Sequence, residues 1–192
     1  MRPSAIILAV LLLLCLGSFL WAMLRFFAQP AGTSAGAKAI GLCGFVFGFL
    51  HLFSILESPA SNPSRTTLAA TLYTTALVLF WWSIFTNLRR PLSAVFSPDT
   101  PEHLIQDGPY RFIRHPFYCS YLLTWMAGAL ATQQAWLLAT VAVMFFAYLR
   151  AAKVEEEKFQ HSSFAQSYEA YRARTGLFVP SPAKWIGARG SH

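Results

Sequence analysis

The sequence predicts an all-α integral membrane protein with about five transmembrane helices. The last two form a helical hairpin, and a cytoplasmic amphipathic helix follows it. Three observations carry this prediction. Only 12% of the residues are charged and 55% are hydrophobic, about half the ~25% charge density of soluble domains. Stretches apolar and long enough to approach or cross a ~30 Å hydrocarbon core recur along the chain. Lys and Arg are distributed unevenly between those stretches, as they are around membrane helices. The net charge of +7 and mean hydropathy of +0.44 therefore read as orientation signal and affinity for anionic head groups. No basic, aromatic-interleaved soluble domain is present, so nucleic acid is not an expected partner.

Ala5 to Leu24 carries no charge and is bounded by Arg2 and Arg25, which is enough for one crossing. Its apolar run is longer than that of a signal peptide and no small-residue cleavage site follows, so it reads as a retained helix. A Gly-, Ala- and Ser-rich turn at Gln29 to Ala37 leads to a second span, Ala39 to Leu56. There Gly44-x-x-x-Gly48 allows another helix to approach closely. His51, in the same span, is expected to hydrogen-bond a neighbouring helix. Glu57 to Arg65 is polar and broken by prolines, and reads as a loop. Leu68 to Phe85 is the third span, with Trp81 and Trp82 suited to a membrane interface. Arg89-Arg90-Pro91 stops it, and Pro91 to Asp107 reads as a long loop of the kind that serves as a lid or part of a site.

Phe117 to Ala131 and Ala135 to Leu149 are short apolar runs joined by the uncharged Thr132-Gln133-Gln134. They read as a tight hairpin. The second run passes without a breaker into Lys153-Val154-Glu155-Glu156-Glu157-Lys158, so its helix is expected to leave the membrane and continue to about Ser163. Phe164 to Arg174 is a short amphipathic helix with Tyr168 and Tyr171 on one face. The organisation is therefore three N-terminal spans over residues 1–87, a catalytic region over 88–182 and a tail over 183–192. Ala188 to His192 resembles a vector remnant. Cys15, Cys43 and Cys119 all sit in apolar segments without CxxC spacing, so buried free thiols and no metal site are expected. With the N-terminus outside and five crossings, 13 of the 15 basic residues face the cytoplasm, and the opposite orientation reverses that count.

Two charged clusters carry the chemistry. Gly108-Pro109-Tyr110-Arg111-Phe112-Ile113-Arg114-His115-Pro116-Phe117-Tyr118 sets cations where the chain re-enters an apolar phase. Pro116 suits the first position of a helix, which leaves Arg114 and His115 at its partly positive mouth, suited to a carboxylate or phosphate. Arg111 fits the edge-marking role of membrane arginines. Glu155, Glu156 and Glu157 lie at the far end of the hairpin, pointing in directions about 100° apart. Glu155 reads as solvated, and at least one of Glu156 and Glu157 as inward-facing. A hairpin brings the start of its first helix beside the end of its second. Arg114-His115 and the acids then become neighbours, and a cation pair beside an acid pair can hold a zwitterion of amino-acid type.

Gly108-x-Tyr110-x-x-x-Arg114-His115-Pro116-x-Tyr118, then Glu156-Glu157, then Phe164-x-x-x-Tyr168-x-x-Tyr171 resembles the isoprenylcysteine carboxyl methyltransferase family. That family belongs to a wider group of integral membrane methyltransferases that includes the phospholipid methyltransferases. The resemblance covers roughly Leu88 to Pro180. The chain departs from the family pattern at Ser120 and at Ala165, where glycine is usual. The resemblance implies binding of S-adenosyl-L-methionine, leaving S-adenosyl-L-homocysteine as product, at the cytoplasmic end. Tyr110, Arg114, His115, Pro116 and Tyr118 would line the pocket, completed by Glu156 and Glu157. Methyl transfer from a sulfonium needs placement and a low-dielectric pocket more than acid or base help. Arg150, Arg111 and Glu157 are the candidates on the catalytic side, the arginines to hold an acceptor carboxylate. The acceptor would be a lipophilic or prenylated molecule entering from the bilayer, foremost an isoprenylcysteine-like carboxylate, with a phospholipid amine or small thiol as alternatives. A non-enzymatic transporter or lipid-binding protein is the competing reading from another class. A bis-histidine redox site is disfavoured, because His51 and His115 should lie on opposite faces of the membrane.

Overall fold

A computed structural model of the chain describes residues 2–27, 35–58, 62–88 and 103–181. It is all-helical, with six α-helices among the described residues: α1 (Pro3–Arg25), α2 (Ala35–Glu57), α3 (Pro63–Asn87), α4 (Pro116–Thr132), α5 (Leu137–Gln160) and α6 (Ala165–Arg174). A single 3-10 turn, Gly108–Arg111, precedes α4. Four of the helices, α1, α2, α3 and α5, are long and apolar enough to cross a membrane. The expected fifth span, α4, has 17 residues and reaches about 25 Å, short of a full hydrocarbon core. Side chains such as Phe45, 78% exposed, and Phe146, 65% exposed, cover the outside of the bundle. In water such a surface would be costly, and in lipid it is the expected solvent-facing side.

The helix starts follow local chemistry. Pro3, Pro63 and Pro116 all open helices, where the missing N–H is of no consequence. The Asn62 side chain accepts from the backbone N–H groups of Ser64 and Arg65 at 3.0 and 3.3 Å, a standard N-cap. Residues 62–65, expected in a loop, therefore belong to the start of α3: the proline read as a breaker is an initiator. Residues 35–37 likewise begin α2 rather than ending the preceding turn. At the hairpin tip Gln133 takes the left-handed conformation, φ 60°, which ends α4 and turns the chain toward α5. The acidic helix ends at Gln160, slightly before Ser163, with the His161 N–H closing on Glu157 O. The loop expected over Pro91 to Asp107 falls outside the described residues except for 103–107, as does Ala188 to His192.

Small residues set the packing distances, as membrane helices require. A Cβ at Gly48 would come within 2.9 Å of Leu16 Cδ1 on α1, whereas Gly44 faces Trp125 of α4. The two members of that motif thus serve different neighbours. Tyr73, Ala76 and Phe80 form the fully buried stripe of α3. His51 Nε2 is 2.8 Å from Thr140 Oγ1 of α5, the cross-helix role expected of it.

Gly108 has φ +56° and lies against Thr86, which a Cβ would overlap. Only glycine takes this backbone freely. Gly108→Ala is expected to destabilise the protein by about 1–3 kcal/mol, read as a lower thermal midpoint in detergent.

Candidate active site

The hairpin brings the start of α4 and the acidic end of α5 together. His115 is the N-cap of α4. Its Nδ1 is 3.2 Å from Glu155 Oε2 and its Nε2 is 3.2 Å from Glu156 Oε1. Arg114 Nε donates to Glu156 Oε1 at 2.7 Å, and the Tyr118 hydroxyl donates to Glu155 Oε1 at 2.7 Å. Arg172 of α6 approaches the other Glu156 oxygen at 3.9 Å. The Arg114 and Glu156 side chains are 8% and 12% exposed, so this is a largely desolvated cluster of two cations and two acids.

A strap after α6 fixes the cations from below. Ile113 and Gly176 form an isolated parallel bridge. The Arg114 N–H donates to Gly176 O at 2.8 Å and the His115 N–H to Leu177 O at 3.2 Å. Arg114 Nη1 donates to the carbonyls of Thr175 and Arg172 at 2.5 and 3.3 Å. The guanidinium is thereby aimed at Glu156 by two carbonyl acceptors, a use of its rigid fork that lysine could not reproduce. The backbone N–H groups of Arg114 and His115 are both taken up by the strap.

α6 supports the arrangement through its buried face. Tyr168 stacks on Phe159, ring centroids 4.9 Å apart, and the Tyr171 hydroxyl donates to Tyr110 O at 2.8 Å. Burial first, and then the adjacent Glu156, hold the Tyr168 hydroxyl well above its ordinary pKa. Tyr110 is buried, and its hydroxyl accepts from Asn87 Nδ2 at 2.8 Å. Asn87, fully buried at the end of α3, was not foreseen, and no local pattern marks it. Ser120, the residue that replaces a glycine of the family pattern, is also fully buried and bonds its own helix at Phe117 O. A serine therefore fits there without displacing α4.

The inward acids are Glu155 and Glu156: Glu156 meets the expectation that at least one of Glu156 and Glu157 faces inward, and the expectation of a solvated Glu155 is corrected. The reason is helical phase. Tyr148, Ala151 and Ala152 are the buried face of α5, and steps of three, four and seven residues carry that face to 155 and 156. Glu157 is exposed, one step of about 100° away. Arg111 and Arg150 are exposed as well, and neither is bonded to a member of the cluster among the described residues. Pro116 and Tyr118 are buried beside it. Below Glu155 the tyrosines stack inward: Tyr118 lies on Tyr148 at 5.2 Å and 15°, and Tyr121 is 5.5 Å from Tyr148.

The electrostatics of His115 combine opposing causes. Burial favours the neutral ring, but hydrogen bonds and charge from Glu155 and Glu156 outweigh it, so its pKa is raised. A raised folded-state pKa contributes stability that is complete below the unfolded value and is lost as pH climbs through the folded value. The thermal midpoint is therefore expected to fall on the alkaline side of the ordinary histidine range of about 6.5, and His115→Gln should flatten that dependence. A wild-type profile that rises with pH across this window would contradict the assignment.

The donor set is balanced. Arg114 and His115 suit a carboxylate, Glu155 and Glu156 suit an ammonium, and Tyr118 supplies a polar aromatic wall. A comparison with curated proteins finds no match. The phospholipid methyltransferase family profile matches residues 64–167, more than half the chain, and spans α3, the hairpin and the start of α6. That stretch contains every member of the charge cluster except Arg172 and the strap. Together with the helices long enough to cross a membrane, the match identifies the chain as a member of the phospholipid methyltransferase family, a group of integral membrane methyltransferases.

Proposed function

We propose that the protein transfers a methyl group from S-adenosyl-L-methionine to a lipid-borne acceptor, with the Arg114–His115–Glu155–Glu156 cluster holding the amino-acid end of the methyl donor. The observation that carries the reading is the convergence of these four groups, separated by about 40 residues in sequence and linked by three contacts of 2.7–3.2 Å, Arg114 to Glu156 and His115 to both acids. Bound there, S-adenosyl-L-methionine supplies a sulfonium-activated methyl group to the acceptor's lone pair. The residues contribute position and exclusion of water. Arg114, held by the strap carbonyls, would meet the carboxylate, and His115 would reinforce it as an imidazolium. Glu155 and Glu156 would exchange part of their present pairing for the ammonium. The tyrosines on the inner face of α4 and α5 offer an apolar, electron-rich surface suited to a sulfonium.

On the acceptor, the motif order resembles that of the isoprenylcysteine carboxyl methyltransferases, and a prenylated carboxylate remains the leading candidate. The exposure of Arg111 and Arg150 favours a second reading, a phospholipid amine, which needs no arginine beside it. Both place the cluster on the cytoplasmic face, the orientation that the distribution of basic residues supports. The purified protein in lipid nanodiscs should transfer labelled methyl from S-adenosyl-L-methionine into an organic-extractable product. Base-labile label on a prenylcysteine analogue would assign a carboxyl ester, and base-stable label on an aminophospholipid would assign the amine. Labelling of neither, by protein shown to be folded, would contradict the proposal.

A further inference from the structure

Three cations surround Glu156, and they differ in how firmly each is held. Arg114 Nε and His115 Nε2 both approach Oε1, at 2.7 and 3.2 Å. Arg172 Nε approaches the other oxygen, Oε2, at 3.9 Å, an ion pair too long for a hydrogen bond. The Arg114 side chain is 8% exposed and that of His115 10%, whereas that of Arg172 is 45% exposed.

Arg114 cannot leave Glu156 cheaply. Its guanidinium is buried and is also held by the carbonyls of Thr175 and Arg172, so breaking its ion pair strands a charge away from water. His115 is gripped at both ring nitrogens, by Glu155 and by Glu156. Arg172 is different. Its half-exposed guanidinium already borders water, and its Nη1 donates to Glu169 on the same helix at 3.3 Å. A half-exposed pair of this kind contributes little. An ammonium seated against the desolvated carboxylate gains a charge-assisted hydrogen bond. Of the three cations, Arg172 is therefore the one that an incoming ammonium displaces at the smallest cost.

We infer that the ammonium of the methyl donor binds Glu156 Oε2, and that Arg172 is the internal cation it displaces. The inference rests on the proposed function and deepens it: Arg114 and His115 keep their hold on Oε1, while α6 supplies a competitor for the ligand's amino group. Arg172 lies outside the family-matched stretch 64–167, in the segment that leads into the strap. Glu169, 55% exposed, sets the strength of the competition by drawing Arg172 away from Glu156. A side-chain change at 172 leaves in place the backbone carbonyl that accepts from Arg114. The competition does not depend on which acceptor is methylated.

Titration of the full chain in detergent with S-adenosyl-L-homocysteine tests it. Arg172→Gln is expected to bind about two- to fivefold more tightly than wild type, the weight of one half-exposed ion pair. Arg172→Lys keeps the competing charge and should stay near wild type. Glu169→Gln releases Arg172 toward Glu156 and should weaken binding. The deaminated analogue of the ligand, which keeps the carboxylate but has no ammonium, should gain nothing from Arg172→Gln. Unchanged or weaker binding by Arg172→Gln, undiminished binding by Glu169→Gln, or an equal gain for the deaminated analogue would each overturn the inference and leave the proposed function standing. Absence of binding to folded wild-type protein would contradict the proposed function, and this inference with it.

Discussion

Arg114→Ala is expected to weaken both the fold and binding of S-adenosyl-L-homocysteine. The guanidinium is the hub between the strap and the hairpin. It donates to Glu156 at 2.7 Å and to the carbonyls of Thr175 and Arg172, and it is nearly inaccessible. Removing one partner of a buried pair leaves the other charge uncompensated, which costs about 3–5 kcal/mol. Glu156 keeps His115 at 3.2 Å, so a loss of roughly 2–4 kcal/mol is expected here. Arg114→Lys keeps the charge but not the fork, and should recover only part of the loss. The measurements are thermal unfolding in detergent and ligand titration. A wild-type midpoint and affinity in Arg114→Ala would refute the role assigned to this residue.

The second large effect is a contrast between adjacent acids. Glu156→Ala removes the carboxylate shared by Arg114, His115 and Arg172, and leaves the buried Arg114 guanidinium without its acid while His115 keeps Glu155. Ligand affinity should fall by about 2–5 kcal/mol. Glu157→Ala changes an exposed side chain and should stay within about 0.5 kcal/mol of wild type in stability and affinity. Equal effects of the two substitutions would mean that the phase of α5 assigned here is wrong.

That phase shows where sequence reasoning succeeds and where it stops. The spans, the hairpin and the helix that Pro116 opens follow from apolar runs, from the initiator role of proline and from the absence of charge at Thr132-Gln133-Gln134. The approach of Arg114 and His115 to the acids follows from hairpin geometry alone. Which two acids face inward was not legible, because apolar residues cover both faces of α5: Tyr148, Ala151 and Ala152 are buried while Phe145 and Phe146 are exposed. Pro63 misleads for a related reason: a proline breaks a helix or begins one, and only the Asn62 cap decides between them. The strap leaves no such trace. Its contribution to Arg114 is made by the carbonyls of Arg172 and Thr175, which every residue type carries, so no side-chain pattern announces it. Asn87 is equally silent, since its partner Tyr110 lies across a segment whose course the sequence does not specify.

The central claim is that the paired charges at the mouth of the hairpin hold the amino-acid end of the methyl donor. Isothermal titration of the detergent-purified protein with S-adenosyl-L-homocysteine tests it most directly, run on wild type, Glu156→Ala and Glu157→Ala. The account predicts saturable binding to wild type and to Glu157→Ala, and a large loss in Glu156→Ala. Binding of undiminished affinity to a folded Glu156→Ala, or no binding to wild type at millimolar ligand, would contradict it.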